Sequence, residues 1–200
     1  MATYQNSRYN IALPSGAGGA IVPIKTLTAS SSGTLSFVNG SSDVVLDSTY
    51  RTYLFKFINI HPSGSNVHFT AGFRDGGSSY DATKTTSHFQ SIHNEADDDA
   101  EMGYQTGSDL AQSTAFQIIH EEVGNDNDSS TSGEMWLFNP SSTTYVKHFI
   151  AKTECSWRSN RASTHFVAGY CNVTAAIDAV QFKMSSGNID AGTIKLYGIA

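Results

Sequence analysis

The 200-residue chain is 39% hydrophobic and 11% aromatic but only 15% charged, and its formal net charge is −6. Its twelve Lys and Arg residues are scattered and outnumbered by eighteen Asp and Glu, so it lacks the clustered positive charge that phosphate contacts need, and nucleic acid is excluded as an expected partner. No apolar run reaches about 18 residues, so no membrane-spanning helix is expected, and Met1–Asn10 lacks the basic-then-apolar layout of a signal peptide.

Residues 1–23, with Ala12-Leu-Pro-Ser-Gly-Ala-Gly-Gly-Ala20, show no periodic face and too little apolar surface to fold alone. They read as an extended N-terminal docking arm, with Tyr4, Tyr9, Ile11 and Leu13 as anchors. Residues 24–200 read as one domain. Ile24–Ala29 and Thr34–Val38 flank a Ser-Ser-Ser-Gly break of hairpin type. Arg51–Ile60 is the clearest strand: Tyr53, Phe55 and Phe57 share one face, and Leu54, Ile58 and Ile60 share the other with Lys56. Such a strand is expected at the centre of a sheet, covered on both sides. His61-Pro-Ser-Gly64 is a turn into Asn66–Phe73.

Residues 75–86 form a polar loop, Ser87–His93 a short strand, and Asn94–Gln112 a long loop with at most one short helix. Ser113–His120, Met135–Phe138, Thr144–Thr153 and Thr164–Asn172 are further strands. Val180, Phe182 and Met184 then alternate with polar residues, Gly187-Asn188 supplies a turn closed by Gly192, and Ile194 and Leu196 resume the alternation, as in a hairpin. About ten short strands without a convincing helix predict an all-β fold, a single jelly-roll or Greek-key β-sandwich. The expected core contains Phe55, Phe57, Phe69, Phe116, Phe149 and Phe182, with Trp136 also buried.

The last stretch, Phe182-Lys-Met-Ser-Ser-Gly-Asn-Ile-Asp-Ala-Gly-Thr-Ile-Lys-Leu-Tyr-Gly-Ile199, resembles the C-terminal hairpin of small β-sandwich modules in tailed-bacteriophage structural proteins. Ile24–Val38 and Thr49-Tyr-Arg-Thr-Tyr-Leu54 look like the start of the same module, although that family more often has Asp-Leu after the Tyr. The resemblance implies a non-enzymatic virion component, a capsid decoration protein, head fibre or tail fibre. It also implies a homotrimer that associates with capsid or tail proteins. Such a protein assembles in the host cytoplasm and leaves by lysis, which fits the missing signal peptide. The alternative is a receptor-binding module that presents the loops 75–86, 94–112 and 121–133 to host glycans, with Trp157, Tyr80 and Tyr104 as stacking contacts.

No other chemistry competes in the sequence. Cys155 and Cys171 match no metal spacing and are expected as buried thiols rather than a disulfide. His88 and His93 point to opposite faces of a strand, and His61 and His68 flank a turn; none forms a known ligand motif. The acidic stretches Asp97–Asp99 with Glu101, and Asp126 and Asp128 with Asn125, Asn127 and Glu134, read as solvated loops. The second lacks the glycine an EF-hand requires, since Thr131 stands there. There is no Gly-x-Ser-x-Gly elbow and no phosphate-binding glycine loop. The sequence therefore predicts no catalytic residue, cofactor or metal.

Overall fold

A computed structural model describes residues 21–157 and 160–200. The expectations for Tyr4, Tyr9, Ile11 and Leu13 lie outside the described residues. Among the described residues there are twelve strands and no helix: β1 (Ile21–Thr28), β2 (Leu35–Val38), β3 (Thr52–Pro62), β4 (Val67–Arg74), β5 (Lys84–Asn94), β6 (Ala100–Tyr104), β7 (Gln117–Val123), β8 (Thr131–Phe138), β9 (Lys147–Trp157), β10 (Arg161–Cys171), β11 (Ala179–Met184) and β12 (Ile189–Ile199). They form an eight-stranded sheet, β1-β12-β3-β8-β9-β10-β5-β6, packed on a four-stranded sheet, β2-β11-β4-β7. The protein is an all-β sandwich, as expected.

The period-2 pattern decides which face each residue takes. On β9, Lys147, Phe149, Ala151, Thr153 and Cys155 are buried between the sheets, while His148, Ile150, Lys152 and Glu154 are exposed. The apolar core centres on Phe182 of β11, whose ring meets Phe37, Phe55, Phe57 and Phe69 at centroid distances of 5.1–6.2 Å.

Several expectations change at this level. Strands β11 and β12 do not pair. β11 lies between β2 and β4 in the small sheet, and β12 between β1 and β3 in the large one. The closing segment is thus an arch between sheets, as are the links β1–β2 and β3–β4. The three arches stack. Ser32 and Ile189 exchange backbone hydrogen bonds of 2.8 Å in both directions. Ser63 N donates to Asn188 O at 3.0 Å, and Asn188 N to the Ser63 hydroxyl oxygen at 2.9 Å. Gly192 does not close the turn but sits inside β12, opposite a bulge of β3.

β3 is interior to its sheet, but only its inner face packs on the second sheet; on its outer face Leu54 is buried while Lys56 is only partly covered and Ile58 is exposed. Its register breaks between Phe57 and Ile60, and this bulge turns Ile60 into the core while Ile58 stays exposed. Trp136 faces outward between the buried Met135 and Leu137, and its indole N–H donates to Glu134. Phe116 precedes β7 and lies over Gly72 on the outside of the small sheet, with the Lys183 ammonium 4.3 Å from its ring centre. Residues 100–104, read as loop, are the edge strand β6, and the first strand starts at Ile21 rather than 24.

Two of the three stretches that carry the family resemblance, Thr49–Leu54 and Phe182–Ile199, touch. The Tyr50 ring fills the space above Gly198, where a Cβ would come within 2.3 Å of it, and packs edge-on against Tyr53. The Tyr53 hydroxyl donates to Asp47 O at 2.9 Å.

Candidate functional site

The large sheet has twice as many strands as the small one and extends past the edge strand β7. Beyond that edge, inward-facing residues of β9, β10, β5 and β6 line a cleft. One part, about 210 Å³, is bounded by Gln90, Ile92, Glu101, Ser163, His165, Trp157 and Arg161 of the large sheet and by Glu121 and Glu122 of β7. It meets a larger part, about 600 Å³, at the shared residues Trp157 and Arg161. There the β5–β6 turn contributes Asn94, Glu95 and Asp97, and the β7–β8 loop Asp126, Asp128 and Ser129. The two acidic stretches, far apart in sequence, thus converge on Trp157.

The hairpin geometry explains this convergence. Trp157 and Arg161 are the last and first residues of β9 and β10 and face each other across the ladder. Both continue the inward parity of Cys155 and Ser163. The guanidinium carbon of Arg161 lies 5.3 Å from the Trp157 ring centre, a cation–π contact, and its Nη2 is 2.6 Å from Asp99 Oδ2. Asn94 shapes the β5–β6 turn, accepting at Oδ1 from the backbone N–H groups of Asp98 and Asp99. Glu134 takes no part: it sits on the outer face of β8, where its pairing with the Lys56 ammonium at 2.5 Å holds its carboxyl below the usual range.

Tyr80 and Tyr104 do not join Trp157. Tyr104 stands on the outer face of β6 and donates its hydroxyl proton to Asp109 at 2.8 Å. Tyr80 packs near Phe116 outside the small sheet. Among the described residues, no three His, Cys, Asp or Glu side chains come together to hold a metal ion.

Behind the cleft lies a buried polar layer that the sequence did not reveal. His88 (β5), His120 (β7) and His165 (β10) are all buried. His88 Nε2 and His165 Nδ1 are 2.7 Å apart, and His165 Nε2 lies 3.1 Å from the Ser163 hydroxyl. The rings of His120 and His165 are 4.2 Å apart, centre to centre. The Thr153 hydroxyl donates to Ile119 O at 2.6 Å, so its oxygen accepts from His120 Nδ1, 3.0 Å away. That bond fixes the tautomer of His120: Nδ1 carries the proton, and Nε2 is a bare lone pair with no hydrogen-bond partner among the described residues.

Ser163, His165 and His88 stand in the order nucleophile, base and orienting group. The chemistry of a catalytic triad does not follow from that order. Desolvation, then the neighbouring His88 and His68, push the His165 imidazole down to about 3, so it stays neutral and is a weak base at neutral pH. A carboxylate in the orienting position would raise it; here that position holds another imidazole, itself lowered by burial despite the opposing charge of Glu121. The array is a hydrogen-bonded core element.

Cys155 and Cys171 are both buried free thiols. On the β9–β10 ladder Cys155 pairs with Ser163 and Cys171 with Lys147, so the two lie at opposite ends of β9, positions 155 and 147. Eight residues of strand is roughly 26 Å, far beyond disulfide reach. Cys171 is flanked by the buried Lys84 and Lys147, yet desolvation outweighs both ammonium groups and raises its thiol to about 12.

Compared with known proteins, the chain matches no family model, no curated protein and no solved structure.

Proposed function

We propose that the protein is a non-enzymatic structural component of a tailed-phage virion that self-associates, as a homotrimer, and docks through its N-terminal arm. The observation that supports this reading is the place of the Ser185-Ser-Gly-Asn-Ile189 motif in the fold. The motif does not surround a reactive group. It is the middle of three stacked arches, bonded to Ser32 on one side and Ser63 on the other, and it leads into a strand held between β1 and β3. A motif with that job is architectural rather than catalytic, which is the role it would have in the family it resembles.

The arm is tested by deleting residues 2–20, which stops short of β1. The truncated chain is expected to melt within a few degrees of the full chain but to be absent from purified particles. Incorporation at the normal copy number would remove the docking role.

A specific observation favours receptor binding as a second reading. The cleft offers the Trp157 ring together with amide, hydroxyl and carboxylate groups, the combination that stacks on a sugar ring and hydrogen-bonds its hydroxyls. The surplus of carboxylates disfavours acidic sugars, so the expected ligand is a neutral host glycan. On a glycan array, neutral glycans should be retained by the wild type, and Trp157→Ala should reduce the signal at least tenfold. Equal binding by both proteins would rule out the cleft.

A further inference from the structure

We propose that the contact between β7 and the strands β9 and β10 is an acid-sensitive latch: when the His88–His120–His165 cluster takes up a proton, β7 and the loop after it come away while the phenylalanine core stays closed.

Geometry carries this. His120 has one nitrogen left to protonate, Nε2, and among the described residues it has no hydrogen-bond partner. His165 has both nitrogens engaged, by His88 and Ser163. The Ser108 carbonyl is near His88, but Nδ1 of that ring makes no hydrogen bond of ordinary geometry. A proton added anywhere places a charge in a buried site whose nearest neighbours are two more imidazoles. The charged groups around the cluster do not cancel it. From β7, Glu121 favours a charge on His88, but its carboxylate is already bonded to the Ser108 hydroxyl. Asp109, in the segment before β7, also favours it, while His68 of β4 opposes protonation of all three rings. Glu101 of β6, Glu122 of β7 and Arg161 of β10 line the cleft with His165. The balance keeps every one of the three imidazoles below its ordinary value, with burial as the leading cause.

The sign follows. In the open state the imidazoles regain a pKa near 6.5. Below about pH 6.5 the open state binds protons that the closed state refuses, so opening is favoured as pH falls, by up to about tenfold per pH unit for each histidine. The weakest element yields first. Among the described residues β7 is an edge strand paired only with β4, its ladder breaks register twice, and Glu122 within it has φ near +49°. Phe182 and three of its four ring partners, Phe55, Phe57 and Phe69, are by contrast held by the interior strands β3, β4 and β11.

The two native thiols report on the latch. Cys155 lies under the loop after β7, beside Thr131 and Gly124, and Cys171 lies at the far end of β9. A disulfide reagent that reacts in acid, 4,4′-dithiodipyridine, is applied to the full chain between pH 7.5 and 4.5, with rates scaled to a small free thiol. Cys155 labelling is expected to rise at least tenfold from pH 7 to 5 while Cys171 stays protected, and His120→Gln is expected to flatten that rise. Both thiols labelling in parallel, or neither responding to pH, would overturn the latch. Should His120→Gln fail to fold, hydrogen exchange of the wild-type chain decides. Exchange of the β7 amides, corrected for intrinsic rate, must accelerate in acid ahead of β12, and uniform exchange overturns the proposal.

Discussion

Replacing Phe182 with alanine is expected to lower the unfolding free energy by about 3–5 kcal/mol. The ring is fully buried on β11, between β2 and β4, and stands where the sheets meet. Phe55 and Phe57 reach it from the large sheet, and Phe37 and Phe69 from its own. All but one of these contacts are edge-to-face, the arrangement that aromatic quadrupoles favour. Truncation removes the whole transfer free energy of the ring. It also leaves a cavity that four rigid rings on two separate sheets cannot collapse into without breaking their own contacts. For a domain of this size the loss corresponds to a fall in Tm of roughly 6–20 °C. Urea titration should show a lower midpoint at unchanged slope. Phe89→Ala is the comparison. That ring also has an aromatic neighbour, Phe166 at 4.8 Å, but it sits on the open outer face of the large sheet and is 41% exposed. Its loss is expected to cost less than about 1 kcal/mol. Equal losses at the two sites would mean that the outer face is as well buried as the inner one, contrary to the sandwich described above.

That contrast shows where periodicity was informative. Alternation located β9 and β11 and assigned Phe149 and Phe182 inward, because one face of each strand is buried along its whole length. It failed where a strand is buried on neither face or changes face midway. β6, Ala-Glu-Met-Gly-Tyr, is exposed along almost all of its length and carries no alternation to detect. β3 inverts at its bulge, so Ile58 and Ile60 share a sequence parity but not a face. The turn residues after Met184 marked a reversal correctly but say nothing about whether the next strand joins the same sheet. An arch and a hairpin use the same Gly-Asn chemistry and differ in pairings made elsewhere in the chain.

The cleft was half legible. Trp157 is an aromatic in a polar stretch, and both acidic loops are visible in the sequence, but their convergence depends on the end of one hairpin meeting two loops from other parts of the chain. The histidine cluster was not legible as a cluster, since its members come from β5, β7 and β10. A partial signal existed: His88 and His165 share inward parity with Thr86 and Ser163, so both strands carry polar residues where a core strand usually carries aliphatic ones. A polar run on the buried parity of neighbouring strands marks an internal hydrogen-bonded layer, and that layer is the part of the sandwich proposed to respond to acid.

Gly192→Ala is expected to cost about 3 kcal/mol or more, although it adds a single methyl group. Two penalties coincide. The residue has φ near +117°, a conformation that side chains with a Cβ rarely adopt. The added carbon would also lie 2.5 Å from Asn59 O and 2.8 Å from Ile60 Cα, which are backbone atoms of the neighbouring strand and cannot rotate away. The two strands are irregular at the same level. β12 shifts register between Ala191 and Thr193, β3 between Phe57 and Ile60, and Asn59 itself is left-handed at φ near +49°. The paired irregularity lets Ile60 and Ile189 both reach the core, and Gly192 O meanwhile accepts from Ala29 N at 2.9 Å to hold the end of β1. Relieving the clash by sliding either strand would move one isoleucine out of the core or release β1, so no cheap relaxation exists. Gly103→Ala on β6 is the matched control: among the described residues nothing lies within 4 Å of the Cβ it would gain, and its effect should stay within about 0.5 kcal/mol. Urea midpoints of the two variants provide the measurement. A near-neutral Gly192→Ala would mean that β12 meets β3 without this close approach. A large loss that Asn59→Gly partly restores in the double variant would show that the two bulges form one coupled unit.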